Sequence, residues 1–398
     1  MNSPQRFSEL PQYAFPRLRT LLGACAPGSN APVEMTIGDP RHAPPAFVAR
    51  IVAEQAAGFM GYPPNDGAPE LVASCAGWIK RRYGYDADPA TDILVLNGTR
   101  EGLYNTSMAL CPEQKAGQRP VILTPNPFYQ VYAVAALSVG AEPVYVNATE
   151  ATGHLPDFAA LDPEVLDRTA LVYVCSPANP QGATASPAYW ADLLRLAETH
   201  DFIILADECY AEIYRDVPPV GVLEAVKATG ADPDRVVAFH SLSKRSNLAG
   251  LRSGFAVSGP GNIARMKQLR AYAGAPLPLP LQMAAAAVWA DEAHVDANRA
   301  LYAAKFDAAR EILGQVPGVT IPDAGFFLWL PVPEAFGDGE AATLRLWEQA
   351  GVKVLPGAYL ARDTAAGNPG TSYLRVALVA SLDDTIAGLT RLRDCLYG

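Results

Sequence analysis

Short apolar runs separated by helical patterns fill the middle of the chain. Seven runs have the length and composition of buried strands, and they lie at Asp92–Leu96, Val121–Thr124, Pro143–Val146, Leu171–Cys175, Phe202–Ala206, Val236–Phe239 and Gly254–Val257. Helical patterns lie between most of them, such as Ala188–Glu198, which follows a Ser-Pro pair suited to a helix start. This alternation predicts an α/β fold with a mainly parallel seven-stranded sheet between helices.

The pattern changes after Gly274. Ala275–Pro280 is a proline-rich bend, and two alanine-rich helices are predicted at Ala284–Val295 and Asn298–Leu313. Three further strands and a closing helix are predicted at Phe326–Leu330, Val352–Leu355, Tyr373–Ala377 and Leu382–Leu396. We therefore expect a large α/β domain over residues 46–280 and a smaller α+β domain made of 281–398 with the N-terminal segment 1–45.

Polar motifs follow directly after four of the predicted strands. They are Gly98-Thr99, Ser176–Asn179, Asp207 and Ser241–Lys244. Ligands of parallel α/β sheets bind beyond the carboxyl ends of the strands. The four motifs therefore predict a single site at one edge of the sheet.

Composition and charge narrow the classes of protein. The 398 residues suggest roughly two domains, and a formal net charge of −10 argues against a nucleic-acid surface. The six cysteines are scattered without a CxxC pair, so we expect thiols of a reducing compartment and predict no metal site. Met1–Leu10 lacks an apolar core, and no apolar run is long enough to span a membrane. These features predict a cytoplasmic enzyme without a signal peptide.

The turn Ser241-Leu242-Ser243-Lys244 carries the strongest chemical indication. Lysine is seldom buried unless it reacts or pairs, and here it directly follows a strand. Together with Asp207 and Arg252 it completes a set of residue types that holds pyridoxal 5′-phosphate (PLP). The lysine forms the Schiff base, the acid keeps the pyridine nitrogen protonated, and serine hydroxyls with arginine take the phosphate. The alternative is a serine turn or helix cap without further function.

Asp207, Tyr210 and Asn179 are expected around the cofactor ring. A buried carboxylate is costly without a partner, which a pyridinium nitrogen would provide, although a capping aspartate is common in such turns. The Tyr210 phenol and the Asn179 amide would reach the ring oxygen, although Asn179-Pro180 alone is a common turn.

Three further positions complete the predicted site. Gly98-Thr99-Arg100 joins a strand to a helix, whose first amides would cradle a phosphate, although such residues are common in these loops. Tyr129 would stack on the pyridine ring, although it or its neighbour Phe128 fits the core equally well. Arg375 lies in a strand of the second domain, where a substrate carboxylate would compensate its charge.

With these residues together, the chain resembles the class I aminotransferases of PLP fold type I over nearly its whole length. Within that family the motifs resemble those of bacterial N-succinyl-L,L-diaminopimelate aminotransferases. The matching segments are Gly38–His42, Asn97–Glu101, Asn126–Gln130, Ser241–Asn247 and Val354–Leu360.

The resemblance implies a role for each matching residue. Lys244, Asp207 and Tyr210 would be catalytic. The cofactor would be held by Gly98, Thr99, Arg100, Tyr129, Asn179, Asp207, Tyr210, Ser241, Lys244, Arg252 and, across a homodimer interface, Tyr62. The substrate would be bound by Gly38, Asn179, Arg375 and Arg41, with Arg41 and Arg100 as candidates for its distal carboxylates.

The implied reaction is amino transfer in lysine biosynthesis. Glutamate and 2-oxoglutarate would form one substrate pair, and N-succinyl-L,L-diaminopimelate with N-succinyl-2-amino-6-oxopimelate the other. Other specificities remain open, namely acetylornithine, aromatic or alanine transamination, and a β-lyase. A PLP-binding regulatory module is a further alternative, which the acidic chain and the short N-terminal segment disfavour.

Overall fold

The computed structural model describes residues 5–8, 10 and 12–398. In chain order the strands are β1 (Val33–Glu34), β2 (Ile93–Leu96), β3 (Val121–Asn126), β4 (Glu142–Asn147), β5 (Thr169–Cys175), β6 (Ile203–Asp207), β7 (Val236–Ser241), β8 (Gly254–Ser258), β9 (Phe327–Pro331), β10 (Val352–Lys353), β11 (Leu355–Pro356) and β12 (Tyr373–Ala377). The expectation about a signal peptide concerns Met1–Leu10, half of which lies outside the described residues.

The helices surround these strands. They are α1 (Ala14–Leu22), α2 (Phe47–Glu54), α3 (Pro69–Tyr83), α4 (Thr99–Leu110), α5 (Val131–Ser138), α6 (Pro163–Arg168), α7 (Pro187–His200), α8 (Val222–Thr229), α9 (Leu242–Arg245), α10 (Pro260–Ala273), α11 (Leu279–Ala290), α12 (Ala293–Leu313), α13 (Gly339–Arg345) and α14 (Leu382–Leu396). None of the helices in the described part of the chain is long and apolar enough to cross a membrane.

Strands β2 to β8 form one seven-stranded sheet in the order β2-β8-β7-β6-β5-β3-β4. All neighbours pair in parallel except β8, which runs antiparallel to both β2 and β7. The predicted fold class is confirmed, and each of the seven predicted strands is present within a few residues of its predicted bounds.

Apolar clusters cover both faces of this sheet, which explains why its strands are continuous apolar runs rather than alternating ones. All seven residues of β5, for example, are buried. One face packs on a cluster that includes Trp78 and Trp190, and the other on a cluster that includes Leu103 and Tyr132.

Two smaller sheets lie outside the central one. Strands β11, β12 and β9 form an antiparallel sheet in that order, and β1 pairs in parallel with β10. The predicted strand Val352–Leu355 is therefore two short strands in different sheets. The boundaries of the two domains stay a prediction.

The predicted helix Ala284–Val295 is wrong. Helix α11 starts earlier, inside the predicted bend, because a proline is tolerated in the first turn of a helix. It ends at Ala290, and α12 begins three residues later. The Asp291 carboxylate accepts a hydrogen bond from the His294 backbone N–H at 3.1 Å, so this acid caps the start of α12. The uniform alanine-rich pattern hides the break.

Candidate active site

A cavity of about 360 Å³ lies where strands β5, β6 and β7 end. The start of α4, strand β12 and the N-terminal segment around Gly38 enclose it. The predicted site residues that line it are Gly38, Thr99, Arg100, Tyr129, Asn179, Asp207, Tyr210, Ser241, Lys244, Arg252 and Arg375. The four polar motifs of the sheet edge therefore do lie around one cavity.

Lys244 projects its amine into this cavity from the short helix α9. Its Nζ donates a hydrogen bond to the Gly38 carbonyl oxygen at 2.5 Å and lies 5.6 Å from the centre of the Phe326 ring. Burial lowers the pKa of this amine to about 8, although the nearby carboxylate of Asp39 acts in the opposite direction. An amine with this pKa is partly unprotonated near neutral pH, as a nucleophile or a base requires.

Asp207 lies at the end of β6 and is 5 % exposed. The Tyr132 hydroxyl donates to its Oδ2 at 2.7 Å, and the Cys209 backbone N–H donates to its Oδ1 at 3.3 Å. Burial raises the pKa of this carboxyl, while the hydrogen bonds from Cys209 and Tyr132 and the charge of Lys244 oppose that shift. A buried carboxylate facing a cavity fits a cationic partner such as a pyridinium N–H.

The start of α4 forms a concave cradle with the loop that follows α9. Gly98 has a φ of 80°, and a Cβ at this position would collide with the Arg252 guanidinium, so only glycine allows the two to lie so close. Arg252 donates to the carbonyl oxygens of Ala249 at 2.8 Å and Asn97 at 3.1 Å. The Ser241 hydroxyl accepts the Ser243 N–H at 3.1 Å. A helix N-terminus beside an arginine and serine hydroxyls is suited to a phosphate.

Arg375 is 5 % exposed and lies across the cavity from the phosphate cradle, on β12. Its Nη1 donates to Asn179 Oδ1 at 3.0 Å and its Nη2 to the Thr36 carbonyl oxygen at 2.7 Å, while its buried Nε has no hydrogen-bond partner. Burial lowers its pKa to about 10. A buried guanidinium with a spare donor fits the carboxylate of an amino acid.

Two tyrosines flank the space between these ends. Tyr210 packs edge-on against Phe326, with ring centres 5.3 Å apart. Burial raises the pKa of its phenol well above the usual value, which keeps it a hydrogen-bond donor. The Tyr129 hydroxyl accepts a hydrogen bond from Arg100 Nε at 2.7 Å, and its ring lines the cavity.

Three predicted residues do not line the cavity in the single chain. Gly98 contributes only by leaving room for the Arg252 guanidinium beside the backbone. Arg41 is exposed, and Tyr62 is fully exposed at the surface. Their assigned roles stay predictions.

Sequence reasoning missed the residues that hold Asp207 in place. Tyr132 is fully buried, and its ring stacks on that of Tyr173 with centres 4.4 Å apart. The Tyr173 hydroxyl is in turn hydrogen-bonded to Ser107 Oγ at 2.8 Å. The three-residue spacing from Tyr129 to Tyr132 was the one available indication, because it places Tyr132 in the first turn of α5, close behind a predicted site residue.

The cavity thus combines an amine of lowered pKa, a buried acid, a concave helix start beside an arginine, and a second, buried arginine with an unpartnered donor. The orphaned Nε of Arg375 and the glycine-lined cradle beside Arg252 are the features that a bound anion would complete. The residues present therefore fit PLP together with an amino acid.

Comparison with known proteins agrees with this chemistry. The model of the family described as aminotransferase class I and II matches residues 31–387. A curated relative from Dehalococcoides mccartyi, named LL-diaminopimelate aminotransferase, is 30 % identical over 99 % of both chains.

Solved structures are similar over the whole fold. An aminotransferase from Neisseria meningitidis is 38 % identical with a TM-score of 0.93, covering 98 % of this chain and 99 % of that one. A probable N-succinyldiaminopimelate aminotransferase from Thermus thermophilus is 25 % identical with a TM-score of 0.84, covering 96 % of this chain and 100 % of that one.

Proposed function

The chain belongs to the class I and II aminotransferases and is a PLP-dependent transaminase. We propose that its substrate is N-succinyl-L,L-diaminopimelate. In this proposal glutamate and 2-oxoglutarate form the second substrate pair, and the reaction belongs to lysine biosynthesis. The motifs shared with the N-succinyl enzymes and the similarity to the Thermus thermophilus structure support it.

The observation that carries the proposal is the charge of Arg100. Four cationic side chains line the cavity, and the cofactor phosphate and the substrate α-carboxylate account for Arg252 and Arg375. Lys244 is the reactive amine. Arg100 makes no ion pair with the described residues, and only its Nε is engaged, by Tyr129. Its free guanidinium edge suits the distal carboxylate of a long acidic substrate.

The roles of the side chains follow from their positions. When bound, PLP supplies an electrophilic carbon for the substrate amine and a conjugated ring that accepts electron density. Arg375 holds the α-carboxylate and so orients the Cα–H bond. Lys244 Nζ takes the α-proton and returns it one step later, as a base and then as an acid. Asp207 keeps its negative charge beside the ring nitrogen and holds the proton there.

A second candidate substrate is L,L-diaminopimelate without the succinyl group. The curated relatives named for this activity, at about 30 % identity over almost the whole chain, favour it. The two substrates differ at the distal nitrogen, which is a neutral amide in one and an ammonium in the other. A cationic Arg100 near that end favours the succinylated compound, because it adds a carboxylate and removes a positive charge.

We also propose that two copies of the chain share each active site. Met60, Tyr62 and Tyr272 are exposed apolar or aromatic side chains on neighbouring segments. Those segments are joined by the hydrogen bond from Arg270 Nη1 to the Asn65 carbonyl oxygen, beside the start of α4. A second copy would cover them and bring its Tyr62 to the phosphate cradle. Light scattering of the purified protein, together with weaker PLP binding by Tyr62→Phe, tests this.

The absorbance spectrum of the PLP-loaded protein tests the function. We expect the visible cofactor band to shift to the pyridoxamine form with L-glutamate and with N-succinyl-L,L-diaminopimelate, but not with L,L-diaminopimelate. A shift with L,L-diaminopimelate alone would establish the second candidate. Lys244→Ala should lower kcat at least about a thousand-fold while leaving the protein folded, because it removes both base and acid. Normal turnover by this variant would contradict the assignment of Lys244.

Arg100→Gln sharpens the substrate assignment. The variant keeps a donor for Tyr129 but loses the charge, so KM for the succinylated substrate should rise about tenfold and KM for glutamate much less. Arg195→Gln is the matched control, since Arg195 is an exposed arginine of α7 that pairs with Asp192 and does not line the cavity. Equal effects of Arg100→Gln on both substrates would remove Arg100 from the distal site.

A further inference from the structure

A histidine outside the cavity connects the segment over Lys244 to the long helix α12. His42 lies between two residues of that helix, which are two turns apart on one face. Its Nδ1 lies 3.0 Å from Asn298 Oδ1, and its Nε2 lies 2.8 Å from Lys305 Nζ. Its ring packs on Tyr302, with ring centres 4.7 Å apart.

The partners fix the direction of every hydrogen bond in this group. An ammonium has no acceptor, so Lys305 donates and His42 Nε2 accepts. The remaining proton of the neutral ring therefore lies on Nδ1 and is donated to Asn298 Oδ1. Asn298 in turn donates its Nδ2 to the carbonyl oxygens of Lys244 at 3.4 Å and Arg245 at 3.2 Å. Asn247 Nδ2 donates to the same Asn298 Oδ1 at 2.9 Å.

The chain of hydrogen bonds begins at a lysine whose burial needs an explanation. Lys305 is 2 % exposed, and it forms no ion pair with the described residues. Burial lowers its pKa to about 8, and the charge of the nearby Arg41 acts in the same direction. Burying an amine beside another cation costs stability. What Lys305 Nζ contacts is the Tyr302 ring, 5.1 Å from its centre, and His42 Nε2, so its burial serves to place His42.

We propose that His42, held by Lys305, is a positioning residue that fixes the Gly38 segment over the amine of Lys244. The hydrogen-bond network contacts both the backbone and the side chain of Lys244. Asn298 binds the Lys244 carbonyl oxygen, and the segment that His42 anchors presents the Gly38 carbonyl oxygen to Lys244 Nζ. A Cβ at Gly38 would collide with the Phe327 ring, so the backbone of this segment packs directly against that ring. Lys305 acts through His42 and touches none of the reacting groups.

The test compares His42→Phe and Lys305→Met in the PLP-loaded protein. Phenylalanine keeps the ring packing on Tyr302 but removes both hydrogen bonds, and methionine keeps much of the lysine volume without the donor. We expect the two hydrogen-bonded amides that flank the segment to exchange with deuterium about five- to tenfold faster in both variants. They are the Met35 N–H, which donates to the Lys353 carbonyl oxygen, and the Val48 N–H, which donates to the Pro45 carbonyl oxygen. Peptides from strand β3 of the seven-stranded sheet should not change. His42→Gln, which still offers one acceptor and one donor, should restore part of the protection.

Lys115→Met is the matched control. Lys115 is a partly buried lysine far from the cavity, and its Nζ donates to the carbonyl oxygens of Thr169 at 2.6 Å and His200 at 2.8 Å. Losing it should lower the free energy of unfolding but leave the exchange of the Met35 and Val48 amides unchanged.

The kinetic expectation rests on the proposed function, whereas the exchange measurement does not. In both variants KM for glutamate should rise about fivefold, with kcat changed less than about twofold, because the segment lines the substrate space. Unchanged exchange of the Met35 and Val48 amides in both variants would overturn the proposal, as would faster exchange spread over the whole chain. Faster local exchange with unchanged KM would keep the anchor and remove the Gly38 segment from substrate binding.

Discussion

Two neighbouring acids at the end of β6 are buried on opposite faces of the central sheet. Asp207 faces the cavity and accepts hydrogen bonds from Tyr132 and Cys209. Glu208 faces the cluster that includes Trp78 and Tyr83. Its Oε1 accepts the Val222 N–H at 2.6 Å, while its Oε2 has no hydrogen-bond partner and lies 3.6 Å from His240 Nε2.

The two acids are equally buried but differ in what surrounds them. Burial raises the pKa of Glu208 to about 7 and lowers the pKa of its neighbour His240 to about 3, so near neutral pH His240 is uncharged and Glu208 is only about half ionised. Asp207 has a reactive lysine across the cavity and, when PLP is bound, a pyridinium nitrogen. The depth of burial alone therefore does not decide whether an acid is functional. The hydrogen-bond donors and cations that face its carboxylate decide this.

The largest expected effect separates the two acids by activity. Asp207→Asn removes the charge that stabilises the protonated ring nitrogen, so kcat should fall by about a hundred- to a thousandfold. The isosteric Glu208→Gln should leave kcat within about twofold, because that side chain faces away from the cavity. Steady-state kinetics with glutamate measure both. Similar losses in the two variants would show that the reaction depends on the strand end as a whole rather than on the charge of Asp207.

The next effect separates the acids by stability. The folded pKa of Glu208, about 7, lies above its ordinary value of 4.5, so its contribution is fully present below pH 4.5 and is lost as the pH rises to 7. The free energy of unfolding of Glu208→Gln, relative to the unaltered protein, should therefore rise by about 1–3 kcal/mol between pH 4.5 and 7.5. Urea denaturation across this range measures it.

A constant difference between Glu208→Gln and the unaltered protein across that range would mean that the pKa of Glu208 is the same in the folded and unfolded protein. Asp207 and Glu208 would then differ only in the face of the sheet on which each side chain lies. His240 acts in the opposite direction over pH 3 to 6.5, because its folded pKa is depressed, so only the difference between the two proteins isolates Glu208.

The smallest effect tests the support of Asp207. Tyr132→Phe keeps the stacking on Tyr173 and removes the 2.7 Å hydrogen bond to the carboxylate. We expect PLP to dissociate about five- to tenfold more readily and kcat to fall by a similar factor, since a bond to a charged group is lost. Equilibrium dialysis gives the first value. Tyr173→Phe is the control that leaves Asp207 untouched, and an equal effect there would assign the loss to packing.

The central fold could be predicted because its strands are buried on both faces. Continuous apolar runs such as Val236–Phe239 have no other stable place in an α/β protein, and the polar motif after each run lies at the carboxyl edge by geometry. The same rule located Lys244, Asp207 and Ser241 around one cavity. Arg375 was found from the cost of a charge inside a strand.

What the sequence did not show depends on contacts between distant segments. His42 and Lys305 are 263 positions apart. His42 ends the matching segment Gly38–His42, but Lys305 stands in no motif, so nothing in the sequence pairs the two. Tyr132 lies in an apolar helix where a tyrosine is expected to be core. Arg41 was predicted in the substrate site because a succinylated substrate needs further cationic groups; its side chain is exposed in the single chain, and its role stays a prediction. The break between α11 and α12 depends on one capping acid within an otherwise uniform pattern.

The cluster of cations in the cavity also has a consequence for the long-range field of the protein. The cavity is lined by four cationic side chains, whereas the whole protein has a net charge of −10; the four are Arg100, Lys244, Arg252 and Arg375. At 0.1 M salt the screening length is about 10 Å, so a small anion at the mouth of the cavity interacts with these cations and only weakly with the outer surface. A large polyanion interacts with the whole negatively charged surface and is repelled. The charge distribution thus selects by size as well as by sign.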